Sequence, residues 1–186
     1  MPELPPHSES EVLAGCRKKD RKFQELLYRK YARVMFGICL SYAKERSAAQ
    51  DILQEGFIKV FKQLHNFQGS GSLEGWIRKV ITNTAIDHYR SASSARKYIE
   101  YQEPERLQPP VENIYQQINL NQLLGLLKKL PEGARLIFNL FALEGYTHKE
   151  ISLKLKISEG TSKSQFKRAR ILLQKGIAES GIERIA

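Results

Sequence analysis

Between Ile99 and Asn119 the chain carries three prolines, Pro104, Pro109 and Pro110, and four glutamates against a lone Arg106. A proline-bearing stretch of net charge −3 inside a chain of net charge +10 neither continues a helix nor offers an apolar face. It reads as a flexible tether, so whatever packs must pack separately on either side of it. The expected organisation is an N-terminal tail and start of the first helix over 1–19, a block over 20–98, a linker over 99–119 and a second block over 120–186. Met1 to Ser10, with three prolines and no periodicity, is expected to be loosely packed.

Both blocks are helical by pattern. Phe23, Leu26, Leu27, Tyr31, Val34, Met35 and Ile38 recur at helical spacing and form one apolar stripe. Ser47 can cap the next helix, with Ile52, Leu53, Phe57, Val60, Phe61 and Leu64 inward. Ser72 can cap a third, with Ile77, Val80, Ile81, Thr84 and Ala85 inward. Beyond the tether, Leu123, Leu124, Leu127 and Leu130 form a stripe ending before Pro131, which can open a helix at its first position. No segment alternates with the period of a strand. The expected fold class is all-α, two small helical domains.

Composition excludes more than it selects. The chain is 41% hydrophobic and 27% charged, as soluble globular proteins are. No apolar run approaches the roughly 18 residues of a membrane span, and the first residues are no signal peptide. No membrane insertion and a cytoplasmic location are therefore expected. Cys16 and Cys39 form no Cys-x-x-Cys pair, so neither a disulfide framework nor a zinc site is expected. Histidines 7, 65, 88 and 148 stand singly, and no phosphate loop or catalytic triad is visible. No enzyme activity and no cofactor are expected.

In the second block, Thr147-His148-Lys149-Glu150 is a capping box, followed by Ile151 and Leu155 on one face. After a break, Ser158 can cap a helix running through Phe166, Ala169, Leu172 and Leu173. Two short helices around a tight turn, the second of them basic, read as a helix-turn-helix. Residues 146–175 hold eight Lys or Arg against Glu150 and Glu159. Ser162, Lys163, Ser164, Gln165, Lys167 and Arg168 supply donors of the kind that reach phosphates and base edges in a major groove. A solvated helix face would also be basic. The coincidence of cap, turn, second cap and charge favours DNA. Arg170 is expected to pair with Glu150 across the motif.

In the first block, Asp51, Gln54 and Glu55 stand about one turn apart on α-helical spacing. They suit either a docking surface for a basic partner or an ordinary acidic first turn. From Ser72 to Lys97, Arg78, Lys79, Arg90, Arg96 and Lys97 outnumber Glu74 and Asp87, with Trp76, His88 and Tyr89 interleaved. Aromatics among cations beside the Gly/Ser loop Gln68-Gly69-Ser70-Gly71-Ser72 are the parts of a single-strand platform, and Asn83 can line a pocket for an unpaired base.

Taken in order, Asp51-Ile-Leu-Gln-Glu-Gly-Phe57, Trp76-Ile-Arg-Lys-Val-Ile-Thr-Asn-Thr-Ala85, Leu130-Pro131, Gly145-Tyr-Thr-His-Lys-Glu-Ile151, Gly160-Thr-Ser-Lys-Ser and Arg168-Ala-Arg170 carry a family likeness. The chain resembles bacterial RNA polymerase sigma factors of the extracytoplasmic-function (ECF) group, which keep only regions 2 and 4. The resemblance implies a transcription initiation factor whose partners are core RNA polymerase (clamp coiled coil and flap), promoter DNA and an anti-sigma factor. It implies core polymerase binding by Asp51, Gln54, Glu55 and Phe57. It implies −10 element binding by Gln68, Gly69, Ser70, Gly71, Ser72, Leu73 and Asn83. Promoter backbone would fall to Arg78, Lys79, Arg90, Arg96 and Lys97, and the −35 element to Lys163, Ser164, Lys167 and Arg168. Lys163 departs from the arginine common at its place in relatives. Two other readings compete: a stand-alone helix-turn-helix DNA-binding transcriptional regulator, and a nucleic-acid-processing enzyme holding a metal on Asp51, Glu55 and Asp87.

Overall fold

The computed structural model describes residues 7–95 and 120–179. All the described elements are helical, and the chain divides into two compact units after His88. The expected linker over 99–119 lies outside the described residues, as do Arg96 and Lys97.

The first unit contains α1 (Glu9–Arg17), α2 (Arg21–Tyr42), α3 (Arg46–Gln63), a 3₁₀ turn (Leu64–Asn66) and most of α4 (Leu73–Ala95). Helix α1 starts at Glu9, so only its first two residues fall in the segment expected to be loosely packed. Ser8 Oγ accepts from Glu11 N–H at 3.3 Å, and the Glu11 carboxylate accepts from Ser8 N–H at 2.8 Å. That capping box satisfies two donors the helix start would otherwise leave unpaired. The spacing Ser8-x-x-Glu11 marks this helix start, close behind Pro2, Pro5 and Pro6. Glu9 ties α1 to α2 by accepting from Tyr31 Oη at 3.3 Å and Lys30 Nζ at 3.5 Å.

Leu27, Met35 and Cys39 of α2, Ile52 and Val60 of α3, and Ile77 and Ile81 of α4 fill the core. Each such aliphatic side chain contributes about 1.5–3 kcal/mol by leaving water. The close approach of α3 to α4 needs Gly56, because a Cβ there would overlap Ile81 Cδ1. Thr84 is fully buried at no polar cost, its hydroxyl donating to the Val80 carbonyl at 3.0 Å. Two local expectations shift. Helix α3 starts after Glu45, which gives no side-chain cap, and Ser47 lies inside the helix. Val34, placed on the inner stripe of α2, is 50% exposed. Burial pushes the Cys16 thiol up to about 11 and the Cys39 thiol up to about 12, so both stay protonated and unreactive.

The second unit contains α5 (Leu120–Lys129), α6 (Glu132–Phe138), a π-helical turn (Asn139–Leu143), α7 (His148–Leu155) and α8 (Glu159–Glu179). Pro131 precedes α6 as its N-cap, one position earlier than expected, and its carbonyl accepts from Arg135 N–H at 2.9 Å. Leu126, Leu127, Leu130, Ala134, Ala169 and Leu173 form one core cluster, and Leu136, Ile137, Leu140 and Ile151 are buried as well. An aromatic group extends this core. The π turn carries Phe141 to 4.4 Å from the His148 ring and 4.5 Å from the Phe166 ring, centroid to centroid.

Candidate functional site

Helices α2 and α3 leave a cleft of about 820 Å³ between them. Ala32, Phe36, Leu53, Phe57 and Phe61 give it an apolar lining, while Arg33, Arg46, Asp51 and Gln54 bring polar groups to it. Phe57 is itself buried, its ring edge-on to Tyr28 at 4.7 Å. Asp51, Gln54 and Phe57 thus meet at one place. Glu55 does not join them; its carboxylate lies 3.0 Å from His88 Nε2 of α4. One helical turn further along α3, Lys59 pairs with Asp87 at 2.9 Å. Both carboxylates are therefore engaged between α3 and α4, and among the described residues no group of three metal-ligating side chains occurs.

The loop between α3 and α4 is pinned at both ends. Leu73, expected with the loop, is 2% exposed and belongs to the core. Ser72 Oγ accepts from Gly75 N–H at 3.1 Å, capping α4 as expected. At the other end the buried Phe67 ring packs 5.7 Å from Trp76, and Arg17 Nη2 donates to the Phe67 carbonyl at 2.8 Å. Gln68, Gly69, Ser70 and Gly71 stand exposed between these anchors. Gly69 and Gly71 have φ of 78° and 92°, a region costly for residues with a Cβ, which accounts for the glycines. Along α4, Trp76, Lys79, Asn83, Asp87 and Arg90 follow helical spacing on one face. Lys79 and Arg90 are exposed there, and Trp76 and Asn83 half-buried. Asn83 lies roughly 15 Å along the helix axis from Leu73, at 1.5 Å per residue. Arg78 sits off this face and is half-buried.

In the second unit the expected capping box forms. Thr147 Oγ1 accepts from Glu150 N–H at 3.2 Å, and Glu150 accepts from Thr147 N–H at 2.8 Å. That backbone bond holds the Glu150 carboxyl below its ordinary value. Ser158 Oγ accepts from Thr161 N–H at 2.9 Å and starts α8. Between the helices, Lys156 turns the chain with φ 56°, a left-handed conformation in a residue that has a Cβ. On α8, Lys163 is exposed and pairs with Glu159 at 3.4 Å. The Ser164 hydroxyl donates to the Thr161 carbonyl at 3.0 Å, leaving only its acceptor capacity outward. Lys167 is exposed and Arg168 half-buried. Ser162, grouped by sequence with the DNA-facing donors, is instead fully buried and bonded to His148 Nδ1 at 2.8 Å. Glu150 serves Thr147, and among the described residues no ion pair joins it to the exposed Arg170.

Two family models match the chain, Sigma-70 region 2 over residues 27–95 and Sigma-70 region 4 over residues 120–173. The chain is a sigma factor of the sigma-70 family. Its relatives place it in the ECF group. It is 28% identical to the ECF RNA polymerase sigma factor SigM of Bacillus subtilis, over 77% of this chain and 88% of that one. It is 24% identical to the RNA polymerase sigma-H factor of Pseudomonas aeruginosa, over 94% of this chain and 96% of that one. The sigma factor RpoE from Bartonella quintana, solved in complex with the anti-sigma factor NepR, shares the fold at a TM-score of 0.51 and 18% identity. That match covers 86% of this chain and 98% of that one. A stand-alone helix-turn-helix regulator would account for residues 120–173 alone and leave the region 2 match unexplained.

This sigma factor's region 2 therefore holds the cleft, the glycine loop and the outer face of α4, and its region 4 holds the helix-turn-helix. Sequence reasoning missed Arg17, whose bond to Phe67 spans fifty positions. No local pattern signals a contact at that separation. It also missed the pairing of His148 with Ser162, although both lie within motifs it had picked out.

Proposed function

We propose that this sigma factor binds core RNA polymerase through the α2–α3 cleft, reads the −35 duplex with α8, and traps the opened −10 strand on the glycine loop and α4. The observation that carries the reading is the cleft, an apolar lining with Asp51 and Gln54 beside it, on the same unit as the exposed cation Lys79. An apolar groove flanked by the acceptors Asp51 and Gln54 and the cations Arg33 and Arg46 suits an amphipathic helical surface such as the clamp coiled coil, and the flap serves as the second polymerase contact through region 4. On α4, Trp76 offers a stacking surface, and Lys79 and Arg90 attract phosphates. With Asn83 three turns from the loop, the two address different nucleotides of one strand. Arg78, Arg96 and Lys97 complete the backbone contacts in this reading. On α8, Lys163, Lys167 and Arg168 approach the −35 groove, with Ser164 accepting a bond from a base edge. Opening is driven by binding: unstacking costs a few kcal/mol per flipped base and is offset by pocket contacts.

The reading makes the protein a binding factor with no catalytic centre of its own. No described helix is long and apolar enough to cross a membrane, and we infer action beside polymerase in the cytoplasm. RpoE of Bartonella quintana is held by an anti-sigma factor, and an inhibitory partner of that kind is inferred here too. The test is transcription from genomic fragments by core polymerase with and without this protein, with start sites mapped. New start sites that need the protein are expected; their absence refutes the reading. Asp51→Lys is expected to abolish assembly with core, while Glu55→Lys, outside the cleft, is expected to weaken it less. Equal losses would move the docking surface away from the cleft.

A further inference from the structure

The α1–α2 turn is the most densely charged stretch of the first unit, and none of the roles above falls to it. Arg17, Lys18, Lys19, Arg21 and Lys22 surround a single acid, Asp20. The Asp20 carboxylate already serves as the N-cap of α2, accepting from Lys22 N–H at 2.9 Å. Lys18, Lys19, Arg21 and Lys22 are all exposed, and among the described residues none of them pairs with a carboxylate. Like charges so close repel one another, and the fold gains nothing from holding them together.

Their place in the fold gives them a direction. Arg17, the last residue of α1, donates from Nη2 to the carbonyl of Phe67 at 2.8 Å. Phe67 is the residue immediately before the exposed loop Gln68–Ser72. The basic turn therefore abuts the foot of the glycine loop. Lys19 adds an independent observation. It holds φ 62°, where glycine is the usual occupant, and presents an ammonium there instead. The region 2 match begins at residue 27, so this turn lies outside it.

We propose that Lys18, Lys19, Arg21 and Lys22 bind phosphates of the opened promoter strand where it passes the foot of the loop. The proposal rests on the reading of the loop as the −10 trap. Charge complementarity and continuity with that loop favour single-stranded DNA over an acidic protein. A strand whose base enters the loop must carry its neighbouring phosphates past the loop's anchor, and these four exposed cations adjoin in sequence the Arg17 that bonds to it. Arg17 is a positioning residue in this arrangement, joining turn to loop through the Phe67 carbonyl.

The experiment uses full-length protein with core polymerase and a promoter taken from the mapped start sites. The probe is that promoter as a duplex with a pre-melted bubble over the −10 region, beside the same sequence fully paired. The variant carries Lys18→Gln, Lys19→Gln, Arg21→Gln and Lys22→Gln together. Each single-strand phosphate contact contributes roughly 0.7 to the slope of log affinity against log salt. The variant is therefore expected to lose about 3 from the slope on the bubble, one contact for each of the four cations, with little change on the closed duplex and normal assembly with core. An unchanged slope on the bubble overturns the proposal. So does an equal loss on both probes, which marks a general electrostatic surface, and so does loss of assembly with core, which marks a protein contact. The double variant Lys18→Gln/Lys22→Gln leaves the left-handed position untouched and should lose about half as much, so misfolding cannot imitate the result. If wild-type protein directs no start sites, the functional reading fails before this question arises.

Discussion

In region 2 the polar and charged side chains proposed to meet partners stand outside a core that other residues build. In region 4 the two sets touch. Asp51, Gln54 and Lys79 are exposed while Met35, Val60, Ile77 and Ile81 are buried, and any of the three exposed residues can change without opening that core. On α8 the buried Ser162 directly precedes Lys163, and its hydroxyl is held by His148, which itself stacks on Phe141. If α8 is the recognition helix, as proposed, its orientation depends on a polar contact beside the domain's core. On that reading region 2 separates stability from recognition, and region 4 couples them.

The largest effects should come from deleting core volume on either side. Ile77→Ala in region 2 and Leu127→Ala in region 4 are each expected to cost about 2–5 kcal/mol. If the domains fold separately, thermal unfolding should show each variant lowering only one of two transitions. A single shared transition, moved by both, would break the comparison. Ser162→Ala should come next. It leaves His148 Nδ1 without its partner and is expected to cost about 1–3 kcal/mol. It should also weaken the proposed −35 binding although Ser162 itself is buried. Stability lost with promoter affinity unchanged would show that the coupling does not exist.

Acidity should sharpen the same contrast. Desolvation, then the charge of Lys163, holds His148 below its ordinary imidazole value. Its folded form thus binds fewer protons than the unfolded chain, and stability rises with pH through this window. The contribution is complete above the ordinary value of about 6.5 and is lost as pH falls below it. The region 4 transition should drop between pH 7.5 and 5 in wild type and flatten in His148→Gln, followed by calorimetry. The smallest effect has the opposite sign. Lys156→Gly relieves the left-handed backbone in the helix-turn-helix and is expected to stabilise region 4 by about 1 kcal/mol.

What the sequence determined by itself is what hydrogen bonds across three or four residues decide. Ser72, Thr147 and Ser158 cap their helices as the local pattern demands, because donor and acceptor lie within one turn. The inward sides of α3 and α4 followed from helical spacing for the same reason, and Ser8 obeyed the rule where flanking prolines obscured it. Only the tertiary structure could decide which neighbour claims a side chain. Glu55 and Asp51 look alike in sequence. Yet Glu55 meets His88, thirty-three positions away, while Asp51 lines the cleft. Ser162 resembles Ser164 in sequence but is buried, because α7 lays His148 against it. Arg17 reaches the foot of the loop only after α1 has packed on α2. Local bonds have few possible partners and can be read from spacing, whereas long-range ones are chosen by packing, and no spacing encodes that choice.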